Sequence, residues 1–137
     1  MEVKESVSKY TFVPQGNNVL VEIKFIAPAI VYTDEKQFQN MGAESIEVVG
    51  IGGACSNPDL KIGDIVHIDI TSNTRRPIPD QYINSNKPTI KEVIDMIRDR
   101  AQKEGIAAIQ GSYPSYAWFI VKEFDIIGRI VESETLN

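Results

Sequence analysis

The residues best suited to do chemistry are His67, Asp69 and Cys55. His67 and Asp69 stand two apart in Ile65-Val66-His67-Ile68-Asp69-Ile70. In a strand, residues two apart share a face, so the pair has the arrangement of a general base with its carboxylate. A hydrolase would also need an activated nucleophile, and no G-x-S-x-G turn accompanies the pair. Cys55 lies in a turn with no base beside it, which is the setting of an inert thiol. Gly50-Ile51-Gly52-Gly53 has the glycine content of a phosphate cradle, but no helix pattern opens after it. The dipole and the free N–H groups that hold a phosphate are therefore missing, and a plain turn is the reading. With one histidine and one cysteine, the usual four-ligand zinc site cannot be assembled within the chain. No EF-hand spacing is present either. The expectation is a protein that is not an enzyme, with no catalytic residues, no metal and no cofactor.

Composition narrows the partners. The 137 residues carry a net charge of −5, and 42% are hydrophobic and 24% charged. That describes an ordinary globular chain able to bury one core. An acidic surface with no basic stripe gives no pull toward nucleic acid or anionic membrane. Tyr113, Tyr116, Trp118 and Phe119 are accordingly read as packing aromatics, not as a stacking platform for single strands. The opening MEVKESVSKY lacks an apolar signal core, and no apolar run approaches the roughly 20 residues that span a bilayer. The chain reads as cytoplasmic, with incorporation into a virion as the alternative.

The elements that must position these residues follow from periodicity. Val19, Val21, Ile23 and Phe25 alternate as in a half-buried strand. Residues 27–43 hold neither period and read as a long loop. Ser45–Val49 and Ile65–Ile70 are further strands, with Gly63-Asp64 turning the chain before the latter. Residues 71–88, rich in Asn, Pro, Ser and Arg, read as loop. Thr89-Ile90-Lys91-Glu92 is a capping box, and a helix follows from about 90 to 104. Its stripe is Ile90, Val93, Ile94, Ile97 and Ala101; Asp99 and Lys103 are spaced as an ion pair, and Gly105 is the stop. The stripe packs on its own domain or, in the second reading, covers a neighbouring subunit through Ile90, Val93, Ile94 and Ile97. Ile106–Ile109 is a short apolar run with strand character, and Gly111–Ser115 reads as a turn. Ala117–Val121 and Phe124–Val131 are strands, the latter bent at Gly128. Many short strands with Gly and Pro turns indicate a mainly β single domain, a barrel or sandwich. Residues 71–110 look like an insertion into it.

Four blocks, in order, resemble the GroES-like co-chaperonin family. Pro14-Gln15-Gly16-Asn17-Asn18-Val19-Leu20-Val21 is similar to its opening proline, turn and V-x-V strand. Ser45-Ile46-Glu47-Val48-Val49-Gly50-Ile51-Gly52 is similar to its E-V-x-x-V-G-x-G strand and turn. Leu60-Lys61-Ile62-Gly63-Asp64-Ile65-Val66 matches its V-K-x-G-D-x-V segment, and Lys122–Val131 resembles its closing E-x-D-I-L-A-x-V strand. The blocks cover under half of the chain.

The resemblance implies a partly open β-barrel that assembles into a homo-oligomeric ring, usually of seven subunits. It also implies a mobile loop between the first two core strands, carrying a hydrophobic tripeptide that docks on a chaperonin. The matching positions are Ile30, Val31 and Tyr32. A short apolar anchor on a loop that orders on binding gives a reversible contact. The sequence departs from the family in five places. The loop is short and lacks the glycine pair, Tyr32 stands where an aliphatic residue is usual, Glu44 replaces a usual glycine, the roof hairpin shrinks to Ala54–Asp59, and the segment after Ile68 is longer by roughly thirty residues. The short roof and long insertion resemble phage-encoded members. The alternative function is a phage virion structural protein, a capsid-auxiliary or connector subunit on the same fold. The same barrel also serves medium-chain dehydrogenases, whose catalytic zinc ligands this chain lacks.

Overall fold

The structure is a computed structural model that describes residues 10–28, 43–69, 76–105 and 112–133. Within these, six strands form a single antiparallel sheet and one helix packs with it. The strands are β1 (Asn18–Pro28), β2 (Ala43–Ile51), β3 (Ile65–Ile68), β4 (Arg76–Pro77), β5 (Ser112–Lys122) and β6 (Ile126–Ile130), and α1 spans Ile90–Glu104. Their order across the sheet is β4-β5-β1-β2-β3-β6. The mainly β class is as the periodicity indicates. The four stretches from which the resemblance is drawn fall on β1, β2, β3 and β6, four consecutive strands of this sheet.

The sheet is rolled. β5 and β6 are joined only by a 3₁₀ turn, Glu123–Asp125, yet β1, β2 and β3 lie between them. On a flat sheet four strand spacings amount to roughly 19 Å. Four extended Cα steps reach only about 14 Å. A 3₁₀ turn covers less still, so the sheet must curl to bring the two ends together. Backbone bonds pin the corner on both sides. Glu123 N–H donates to Asn17 O at 2.8 Å, at the start of β1, and Asp69 N–H donates to Asp125 O at 2.9 Å, at the end of β3.

Alternation along the strands sorts side chains onto two faces. The concave face of the roll carries Val19, Val21, Ile23 and Phe25 of β1, Ile46 and Val48 of β2, Val66 and Ile68 of β3, and Phe119 and Val121 of β5, all buried in the main core. Each such side chain contributes roughly 1.5–3 kcal/mol by leaving water. The opposite face holds a second, smaller cluster: Leu20 and Trp118, covered by Ile78 and Ile83, with Phe12 and Tyr82 packed against it.

Helix α1 is capped as its sequence dictates. Thr89 Oγ1 accepts from Glu92 N–H at 3.3 Å, and the Thr89 hydroxyl in turn donates to the Glu92 carboxylate at 3.1 Å. Gly105 follows with a φ of 85°, where other residues are strained, and its N–H donates to Ala101 O. The Asp99–Lys103 ion pair forms at 3.2 Å. Ile90, Val93, Ile94 and Ile97 are 0–4% exposed and belong to the main core. Of the two readings of this stripe, packing on its own domain is the one the fold realises. These four side chains are spent inside the chain and do not face a neighbouring subunit. The helix is therefore part of the body of the domain, and the main core is not complete without it.

The route into the helix is where sequence and structure differ most. Residues 76–89 run along the free edge of β5 instead of forming a loop away from it. Arg76 and Pro77 pair with Ile120 and Phe119, Ile78 N–H donates to Trp118 O, and Tyr116 N–H donates to Pro88 O. Between these contacts residues 79–87, with a 3₁₀ turn at Asp80–Tyr82, bow out across the second face. Ser112–Ser115, read as a turn, is the first third of β5, with Pro114 opposite Ile26. Pro114 is tolerated because Tyr116 N–H points to the outer edge, and Pro114 shares that direction, away from β1. The short apolar run at 106–109 lies outside the described residues.

Candidate functional site

Outside the hydrophobic cores, polar chemistry is concentrated on the second face of the sheet. Trp118 of β5, Glu22 of β1 and Glu47 of β2 occupy one rung: Glu22 registers opposite Trp118 on one side and opposite Glu47 on the other. Glu22 is only 6% exposed. Burying a carboxylate is costly unless it is paired and hydrogen-bonded, and both of its oxygens are. Lys87 Nζ donates to Oε1 at 2.6 Å and Trp118 Nε1 donates to Oε2 at 3.1 Å. The Lys87 ammonium also lies 4.8 Å from the centroid of the Tyr116 ring. The hydrogen bond that Lys87 donates to Glu22 holds its amine above the ordinary range, against the opposing effect of burial, with the charges of Glu22 and Glu47 adding through-space support.

This cluster floors an open pocket of about 500 Å³. Thr11 and Val49 contribute to its walls, and Asn84, Ser85 and Asn86 line the side formed by the bowed segment. Ser85 Oγ accepts from Lys87 N–H at 3.1 Å, which fixes the backbone that presents the lysine. Glu47 is half-buried and makes no hydrogen bond or ion pair among the described residues.

The second notable surface is β6. It is bonded to β3 along one side, and its other side has no strand partner among the described residues. Phe124 in the corner, Ile127 and Ile130 on the strand and Val131 beyond it are each 63–71% exposed. The corner itself is held rigidly: the Glu123 carboxylate accepts from Ser56 N–H at 3.0 Å and Asn57 N–H at 2.8 Å. Those two backbone donors hold Glu123 below the usual carboxylate range.

The residues first suspected of chemistry are not brought together. His67 is exposed on β3 and hydrogen-bonds no side chain among the described residues. Cys55 packs near Asn18 O and Gly16 O, at 3.7 and 3.9 Å. Burial, followed by the charge of Glu123, pushes its thiol up, the opposite of what a nucleophile needs. Gly52 is a packing glycine: a Cβ there would sit 2.3 Å from Gly16 O, so the turn can only close around a bare backbone. The aromatic group divides between faces, with Tyr113 and Phe119 against the main core and Trp118 in the second cluster. Ile30, Val31 and Tyr32 lie outside the described residues. No group of three or more His, Cys, Asp or Glu side chains suited to a metal occurs among the described residues. No helix among them is long and apolar enough to cross a membrane.

Sequence reading missed the Glu22 cluster because alternation marks a polar residue between buried ones as solvent-facing. The one available signal was the pair Ile78 and Ile83, apolar residues in an otherwise polar stretch, which hint that the segment covers something. No family model matches the chain, and no curated protein matches it either.

Proposed function

We propose that the rolled sheet is a GroES-like, partly open barrel and that the chain is a ring-forming, co-chaperonin-like assembly subunit. The observation that carries this reading is the β6 edge. A strand with one bonded side and exposed Ile127, Ile130 and Val131 is a ready template for pairing with another chain. Natural proteins blunt such edges with charge or cover them, and here the only charge on the strand is Arg129. A second copy of the chain is the natural cover, and repetition of one such contact around an axis closes a ring. The rigid Glu123 corner at the end of β5 fixes the direction in which the edge is presented. Support for the family comes from the placing of its four sequence blocks on four adjacent strands, with the Lys61-Ile62-Gly63-Asp64 turn formed as that motif requires. Gly63 has a φ of 97°, and Asp64 Oδ2 accepts from Lys61 N–H at 2.8 Å.

In this reading the segment joining β1 to β2 is the arm toward the chaperonin, and Ile30-Val31-Tyr32 is its apolar anchor. A charge placed in an apolar anchor must be desolvated on docking, and the cost removes most of the affinity. Val31→Asp is expected to abolish support of chaperonin-dependent refolding while circular dichroism and assembly size stay as in the parent. Refolding support equal to the parent contradicts the assignment of the anchor.

A further inference from the structure

We propose that the pocket over Glu22 and Glu47 binds a single organic cation, an alkylammonium group of the lysine side-chain type. The inference rests on the rung Trp118–Glu22–Glu47 and is independent of any role in chaperonin binding. Two carboxylates directly opposite on neighbouring strands repel each other unless a cation lies by them. Lys87 answers one of them: its ammonium donates to Glu22, and Trp118 takes the other oxygen. The chain's own ammonium thus already demonstrates the chemistry this floor accepts. Counting Glu22, Glu47 and Lys87, one negative charge remains, and it belongs to Glu47. That carboxylate has no hydrogen bond or ion pair among the described residues and borders the cavity.

The size and lining fit the same ligand. At about 500 Å³ the cavity is within the range of small-molecule sites. Asn84 and Asn86 offer carboxamide oxygens, which accept the remaining N–H bonds of an ammonium. Thr11 and Val49 provide methyl-bearing wall for an alkyl stem, as long cationic side chains require. An anion is disfavoured by two carboxylates. A divalent metal is disfavoured because Lys87 occupies Glu22 and, among the described residues, no third carboxylate or imidazole joins the pair. The same ammonium chemistry can arrive as a free amine or as a lysine on another polypeptide.

Trp118 is the only tryptophan of the chain and lies in the floor, so its emission reports on the site directly. The experiment titrates the full chain at low salt with n-butylammonium, with a short end-blocked peptide carrying one lysine with a free ε-amine, with magnesium and with sulfate. The proposal expects a saturable change in Trp118 emission with the two ammonium probes only. It expects that response to weaken at least tenfold in Glu47→Gln and to vanish in Glu47→Lys, which supplies its own cation. Thermal unfolding curves confirm that both variants fold. A tighter response to the peptide assigns the ligand to a protein partner, and an equal response assigns it to a free amine. No saturable response in the parent, an undiminished response in Glu47→Gln, or a response to magnesium or sulfate at lower concentration than to the ammonium probes would overturn the proposal.

Discussion

Ile97→Ala is expected to lower the free energy of unfolding by about 3 kcal/mol, read from urea denaturation of the full chain. Ile97 is fully buried on α1, in the same core as Phe25, Val48 and Phe119. Truncation removes three carbons from water-free surroundings and leaves a cavity that neighbouring β-branched side chains, stiff at χ1, cannot readily fill. The size of the loss separates two pictures of residues 90–104. If the helix were an appendage that covered a neighbour, the substitution would shift association and leave the unfolding of an isolated subunit nearly untouched. With the helix inside the main core, the loss persists at every protein concentration. A loss below about 1 kcal/mol would contradict the placement of the stripe.

The second large effect comes from the opposite face. Lys87→Met is expected to destabilise the chain by about 2 kcal/mol. It leaves Glu22, 6% exposed, with Trp118 as its sole strong donor. The cost stays below the 3–5 kcal/mol typical of a fully buried pair because the Lys87 side chain is 41% exposed and solvent screens its end. Adding Glu22→Gln to Lys87→Met should recover part of the loss, since a neutral amide is cheaper to bury and can still accept from the indole. The two substitutions are therefore non-additive in a double-mutant cycle. The pH dependence has a defined sign. Glu22 raises the folded pKa of Lys87 above its ordinary value near 10.5. The pair's contribution is complete below that value and is lost as pH climbs through the raised one. The stability difference between the parent and Glu22→Gln, read from urea denaturation at each pH, should accordingly be constant below that value and shrink as pH climbs through the raised one.

These two sites also show what the sequence can and cannot disclose. The helix was legible to the residue at both ends because each end is a local event: Thr89 bonds three residues ahead, and Gly105 bonds four residues back. The strands were legible in kind because alternation is local too, although β1 and β2 extend beyond the stretches that alternate cleanly. What escaped depends on partners far along the chain. Glu22 meets Lys87 65 residues away and Trp118 96 residues away. Nothing near Glu22 signals either contact. Residues 76–88 looked like loop because they are short of apolar residues, and their order comes from backbone bonds to β5, which no side-chain pattern announces. Pro114 misled for a related reason, since a proline breaks a strand only where its missing N–H is needed. The exposed side chains of β6 were read as strand residues, and only the sheet order reveals that they stand at an edge.

Assembly through that edge is the claim on which the functional reading stands, and sedimentation velocity of the purified chain at micromolar concentration tests it most directly. The account predicts a closed oligomer of one defined size. It further predicts that Ile127→Lys combined with Ile130→Lys yields a folded monomer, with an unchanged far-ultraviolet spectrum. A parent that sediments as a monomer, or a double variant that keeps the parent's size, would contradict it.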